Sequence, residues 1–423
     1  MQRLIINGGK KLCGEIRIQG AKNSALPLLA GTLLVGKGSC EIKNVPGLSD
    51  VYSACRILNS LGCRCRWEKG TVRADGTELG GFEVREELMR TMRGSIVFMG
   101  PLLGRLRRCR LTFPGGCPLG SRPIDLHLSA LRKMGVSIRE EHGVLDCSCP
   151  GGLKGADISL SFPSVGATEN IMLSAVLAEG ETVIRNAARE PEIEDLAGFL
   201  NLCGADVSGA GSGTVHIKGV KELCGCTYEV MPDRIAAATY MAAAAVTGGE
   251  LALRQIRCGD LRAVINVFEQ MGCDIYCQGG EGEGGTLFIS GKKPLKSVEP
   301  VRTMPYPGFP TDAQAIVMAA LTLAEGSSMI IENIFENRYL HVDELVRMGA
   351  DIRAEGKVAV IKGVKELYGA KVRAADLRGG AALAVAALAA EGTTEIEGLH
   401  LIDRGYEEFE KKLSAVGADI VRE

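Results

Sequence analysis

Met271-Gly272-Cys273-Asp274-Ile275 returns as Met348-Gly349-Ala350-Asp351-Ile352 and again as Val416-Gly417-Ala418-Asp419-Ile420. Three looser copies come earlier: Leu61-Gly62-Cys63-Arg64-Cys65, Met134-Gly135-Val136-Ser137-Ile138 and Cys203-Gly204-Ala205-Asp206-Val207. In each, an apolar residue closes a helical pattern, a glycine stops it, and after two small or polar residues a β-forming residue follows. The glycines are spaced 73, 69, 68, 77 and 68 residues apart. Such a period is too long for a solenoid and fits six copies of a small folding unit.

Outward from each signature the order of patterns is shared. An apolar, Ala-rich helix comes first, as in Ser164 to Leu177 or Asp312 to Ala324. A glycine stops it in a left-handed cap, at Gly36, Gly180, Gly248, Gly326 and Gly392. An alternating strand follows, such as Thr182 to Arg185, Ser328 to Ile331 or Thr394 to Glu397. A loop then leads to a second helix with one charged face, as in Ile193 to Cys203, and two more strands complete the unit. The first helices are apolar almost all round, so they belong at domain centres. The expected architecture is α/β: two domains of three units each, helices inside and sheets around them.

Composition narrows the function. The chain is 46% hydrophobic but only 4% aromatic, so its cores are built from Leu, Ile, Val, Ala and Met. A net charge of -2 argues against nucleic acid or an anionic membrane as the main partner. The first residues lack the apolar run of a signal peptide, and no stretch reaches the length of a membrane helix. Fifteen cysteines and five scattered histidines show no zinc-type spacing. The C-x-C pairs Cys63/Cys65, Cys147/Cys149 and Cys224/Cys226 read as small packing residues, and a reduced cytoplasm with no metal is expected.

Charge at equivalent positions is more telling. The buried helices begin at Gly20-Ala21-Lys22-Asn23-Ser24, Thr91-Met92-Arg93-Gly94-Ser95, Ser164-Val165-Gly166-Ala167-Thr168, Pro232-Asp233-Arg234, Pro310-Thr311-Asp312 and Asp376-Leu377-Arg378. Lys22, Arg93, Arg234 and Arg378 put a cation at the end where the helix dipole favours an anion. Cations together with free N–H groups there make an anion site. Arg234 and Arg378 have an acid nearby to pair with, whereas Lys22 and Arg93 have none within three residues. Arg122, Arg189, Arg338 and Arg404 recur in the loops before the second helices. One such loop, Pro114-Gly115-Gly116-Cys117-Pro118-Leu119-Gly120-Ser121-Arg122-Pro123, carries a thiol close to fixed positive charge, suited to act as nucleophile or proton donor. Asp312 is an acid where its counterparts are basic or neutral, and reads either as a favourable first-turn residue of its helix or as a general base set among cations. The pattern suits a substrate with several negative charges.

These residues carry a resemblance. The Lys22-Asn23 segment, the Cys117 loop running on through Ile124-Asp125-Leu126-His127, Ser164-Val165-Gly166, Ala188 to Ile193, Pro310 to Gln314, Phe335 to Arg338 and Ile402 to Glu407 stand in family order over essentially the whole chain. The chain resembles the enolpyruvyl transferase family, and within it the members acting on UDP-N-acetylglucosamine. The resemblance implies the inside-out α/β barrel, two domains each of three βαβαββ repeats. Residues 22–231 would form one domain, carrying Cys117. Residues 1–21 with 232–423 would form the other, carrying Asp312, Arg338, Arg378 and Arg404. It implies enolpyruvyl transfer from phosphoenolpyruvate to the sugar 3-hydroxyl, with Cys117 as proton donor and Asp312 as acceptor of the hydroxyl proton. Lys22, Asn23, Arg122 and Arg404 would hold phosphoenolpyruvate. Arg93, Arg122, Pro123, Ile124, Asp125, Leu126, Ser164, Val165, Gly166 and Ile334 would contact the sugar nucleotide, with Arg338 and Arg378 lining the site. No cofactor is implied, the partners are the two substrates, and a monomer or weak homo-oligomer is expected. Phe162 departs from the family, where some members carry lysine. The shikimate-phosphate branch shares the fold but not the cysteine loop. A DNA clamp, also built from six units, would need basic helices facing the duplex, whereas these are apolar.

Overall fold

The three most alanine-rich helices of the chain pack against one another, since alanine lets helix backbones approach closely. The computed structural model describes residues 2–113, 124–279 and 284–423, with Arg93 by its backbone only. It divides into two units, residues 2–19 with 232–423, and residues 20–113 with 124–231.

The inner helices of the second of these are α1 (Lys22–Gly31), α2 (Met99–Leu106) and α3 (Val165–Ala175). Those of the first are α4 (Arg234–Thr247), α5 (Thr311–Leu321) and α6 (Leu377–Ala389), each packed on the other two. Every residue of α4 from Arg234 to Ala245 is buried. Helices that are apolar all round are stable only when enclosed. The α2 helix differs from expectation, because its unit begins with a 3-10 turn, Arg93–Phe98, before α2 starts.

Sheets supply the enclosure. In the unit that holds α4 to α6, the strand orders are Asp274–Gln278, Gly285–Ser290, Glu250–Ile256, Cys13–Arg17; then Val301–Arg302, Ser327–Ile331, Val358–Lys362, Asp351–Glu355; then Lys371–Arg373, Thr393–Glu397, Arg3–Asn7, Asp419–Arg422. In each sheet one strand from the preceding repeat lies parallel to the first strand of the next, and the remaining pairs are antiparallel. The N-terminal strand thus serves the last repeat, with Leu4 opposite Ile396 on one side and Arg422 on the other. The unit of α1 to α3 follows the same plan, Thr227–Glu229 lying parallel to Cys40–Lys43. Its middle sheet is Arg108–Thr112, Val144–Ser148 and Ser137–Glu141, and the bridge Glu83 to Arg110 stands in the fourth place.

The six signature glycines have φ of 98, 92, 103, 94, 97 and 103 degrees, a region costly for residues with a Cβ. That is why the repeat is readable at glycine. The other glycine stops behave differently. Gly248 caps α4 directly at φ 62, whereas Gly180, Gly326 and Gly392 fall several residues after their helices and turn the chain into the strand. Gly36 is not a cap: α1 runs into a 3-10 turn, Thr32–Leu34, and Gly36 lies within the strand Val35–Lys37. No helix among the described residues is long and apolar enough to cross a membrane.

Candidate functional site

Asp312, in the first turn of α5, is held by two buried arginines from two other segments. Arg338 Nη2 reaches Oδ1 at 2.8 Å, and Arg378 Nη2, from the start of α6, reaches Oδ2 at 3.3 Å. Both arginine side chains are 2% exposed while Asp312 is 29% exposed, so the carboxylate is the open side of the cluster. Arg338 also donates through Nε and Nη2 to Thr311 O at 3.2 and 3.0 Å. Arg378 lies over the Tyr406 ring at 5.4 Å, and Tyr406 Oη meets Thr239 Oγ1 at 2.8 Å. Burial works against the charge of Arg378, but Tyr406 and Asp312 outweigh it and raise its pKa. A local pairing of Arg378 with Asp376 is not what forms. Asp376 Oδ1 instead caps α6, accepting from Arg378 N and Gly379 N at 3.0 Å each.

Two residues missed by sequence reasoning hold this group in shape. Glu332, 1% exposed, accepts Thr303 Oγ1 at 2.9 Å, Thr311 Oγ1 at 3.0 Å, Ile334 N at 2.8 Å and Phe335 N at 3.1 Å. It fixes half-buried Ile334 and the residue before Asp312 at once. Gln19 donates through Nε2 to Gly405 O at 2.9 Å and accepts from Glu407 N at 2.8 Å, bracing the loop that carries half-buried Arg404. Buried His341 is driven down to about 4 by desolvation, so it is neutral near pH 7.

In the unit of α1 to α3, Lys22 Nζ lies 3.4 Å from Asp50 Oδ2, with side chains 12% and 4% exposed. Lys22 has no acid within three residues, and the partner it finds is 28 residues away in sequence. Asn23 beside it is exposed. Ser24 Oγ donates to Asp195, which also accepts Met231 N at 3.2 Å.

Ser164 caps α3 by accepting Ala167 N at 3.4 Å, followed by half-buried Val165 and Gly166. A Cβ on Gly166 would meet the His127 ring at 3.3 Å, so glycine brings the start of α3 against the helix Asp125–Lys133. At the start of that helix, Ile124 is buried, Asp125 exposed and Leu126 half-buried. Asn170, fully buried, is the joint: Nδ2 meets His127 Nδ1 at 2.8 Å and Ile96 O at 3.0 Å, and Oδ1 accepts Gly100 N at 2.8 Å. That contact requires the His127 proton on Nε2. Asn170 thus gathers the Arg93 turn, the Ile124 to Leu126 segment and the Ser164 to Gly166 segment. A polar residue within a helix gave no sequence signal of this. Glu169, buried beside it, has its carboxyl pushed well above the usual range by desolvation and then by Glu192 and Glu190. Cys117, Arg122 and Pro123 lie outside the described residues.

Residues 6–413 match the family model described as EPSP synthase (3-phosphoshikimate 1-carboxyvinyltransferase). The chain is 50% identical over 422 residues to UDP-N-acetylglucosamine 1-carboxyvinyltransferase 2 of Caldanaerobacter subterraneus subsp. tengcongensis, covering 100% of both chains. It is 47% identical to UDP-N-acetylglucosamine 1-carboxyvinyltransferase of Trichlorobacter lovleyi, covering 100% of this chain and 99% of the relative. Its fold is similar to the crystal structure of the enolpyruvyl transferase NikO from Streptomyces tendae, with TM-score 0.88 at 24% identity, covering 100% and 98% of the two chains.

Proposed function

The chain belongs to the EPSP synthase family of enolpyruvyl transferases, and on that premise we propose that it moves the enolpyruvyl group of phosphoenolpyruvate to the 3-hydroxyl of UDP-N-acetylglucosamine. Phosphate is released, and the reaction commits the sugar nucleotide to peptidoglycan synthesis. The observation that carries this reading is Asp312 clasped between Arg338 and Arg378, an open carboxylate on two buried cations.

The reaction is an addition followed by an elimination. Cys117 gives its proton to the methylene carbon of phosphoenolpyruvate, which makes C2 electrophilic. The sugar oxygen bonds to C2 as its proton passes to Asp312. A proton then leaves the new methyl group, the double bond re-forms, and the C2–O bond to phosphate breaks. Lys22, Asn23, Arg122 and Arg404 bind the phosphate and carboxylate. Arg93, Pro123, Ile124, Asp125, Leu126, Ser164, Val165, Gly166 and Ile334 contact the sugar nucleotide. Arg338 and Arg378 orient Asp312 and add positive charge where the transition state gains negative charge. A cytoplasmic location and a monomer or weak homo-oligomer are part of the same proposal.

The test is phosphate release from phosphoenolpyruvate with and without UDP-N-acetylglucosamine, for wild type and Cys117→Ala, with fosfomycin added to a parallel wild-type sample. Release should need the sugar nucleotide, vanish in the variant and be blocked by the epoxide. No release from folded wild type would refute the activity, and release surviving in Cys117→Ala would remove the thiol from its centre.

A further inference from the structure

Three cysteines outside the proposed site come from three separate segments. Cys40 opens the strand Cys40–Lys43. Cys226 precedes the parallel strand Thr227–Glu229, and Glu41 N donates to Cys226 O at 2.9 Å. Cys203 is the C-cap of the helix Pro191–Leu202, and its carbonyl accepts from Cys224 N at 2.9 Å. All three sulfurs lie within 4.8 Å of one another, and those of Cys203 and Cys226 are 3.3 Å apart. Cys40 is 1% exposed and Cys203 2%, while half-buried Cys226 leaves one side open.

Three thiols from separate segments turned to a common point offer three thiolate ligands to one ion. A cation bound to three thiolates at about 2.3 Å sets the sulfurs about 3.8–4.0 Å apart, so Cys203 and Cys226 at 3.3 Å would part slightly around it, while every pair already lies within 4.8 Å. A disulfide needs about 2.05 Å, and all three cysteines are free, with Cys203 and Cys226 sulfurs 3.3 Å apart.

We propose that Cys40, Cys203 and Cys226 form a trithiolate site for a thiophilic d10 cation of the zinc and cadmium class. Binding a divalent ion replaces three S–H bonds by three metal–sulfur bonds and releases three protons. The site keeps one negative charge, and water on the Cys226 side completes a tetrahedron around zinc. The bound ion pins the C-terminal end of the helix Pro191–Leu202 to two strands, so it acts on stability.

The full chain, purified under a phosphine reductant and freed of metal with a chelator, would be titrated with cadmium. Thiolate-to-cadmium absorbance and released protons would be followed in wild type, Cys226→Ser and Cys203→Ser, with exposed Cys224→Ser as control. The expected result is one tight cation with three protons released in wild type and in Cys224→Ser. Binding should be at least tenfold weaker in the other two, and the melting temperature should rise with cadmium only where the tight site is intact. Cys226 is half-buried, so its serine variant should fold, and phosphate release serves as the check. A cadmium-113 resonance typical of sulfur ligands in wild type, lost in Cys226→Ser, would support the site independently. Equal binding by wild type and Cys226→Ser would overturn the proposal.

Discussion

Replacing Asp312 by asparagine should damage the protein twice, and the two effects are separable. Arg338 and Arg378 would keep their charges at 2% exposure without their shared counter-ion. Arg378 has the more to lose, since its Nε and Nη1 have no hydrogen-bond partner among the described residues. Removing one member of a buried ion pair costs about 3–5 kcal/mol. The carboxylate is 29% exposed, so water recovers part of this, leaving about 2 kcal/mol. Hydrogen exchange of peptides from α4, α5 and α6 reads the loss directly, as roughly thirtyfold faster exchange through opening of that unit. Phosphate release should fall about 10²–10⁴-fold for loss of a general base. Asp312→Asn combined with Arg378→Met removes the stranded charge, so exchange should return most of the way to wild type while activity stays lost. Unchanged exchange in Asp312→Asn would refute the counter-ion argument, and a fall in turnover of less than about tenfold would refute the base.

Two further outcomes follow from the same unit. Glu332→Gln keeps the acceptor for Ile334 N and Phe335 N but replaces the charged acceptor of Thr311 Oγ1, a change worth about 1–2 kcal/mol. It should raise KM for the sugar nucleotide about 5–30-fold, measured by steady-state phosphate release, whereas Glu332→Ala should lose soluble protein. His341 has its pKa lowered to about 4 against an ordinary 6.5, so the unfolded chain binds the extra proton first. The unit of α4 to α6 should therefore lose stability as pH falls from about 6.5 towards 4, and His341→Gln should flatten that slope in melting experiments.

The parts of the fold legible in the sequence are those set by local backbone chemistry. The signature glycines could be read because positive φ excludes most other residues, and the inner helices because no polar face interrupts them. Asp312 and Arg338 were recognisable as an acid and a cation at repeat-equivalent positions. That they pair across 26 residues was not. The joints of the site escaped because each acts across the chain: Asn170 on Ile96, Glu332 on Thr303, and Gln19 on Gly405, which is 386 residues away. Arg378 was misread for a related reason, since its neighbouring acid is consumed in capping and its real partner is 66 residues away. The cysteines show the same limit. Cys226 looked paired with Cys224 by spacing, yet its sulfur faces Cys40 and Cys203.

The strand Arg3–Asn7 has a consequence for biosynthesis. Its partners are Thr393–Glu397 and Asp419–Arg422, and Arg3 pairs with Glu423, 420 positions later. At translation rates of about 5–20 residues per second, that strand waits roughly 20–80 s on the ribosome before its sheet can close. The unit of α1 to α3, drawn from one uninterrupted stretch, can finish folding in the meantime. Throughout that interval the nascent chain carries a short apolar strand with both edges open, a ready target for chaperones and for pairing with another chain.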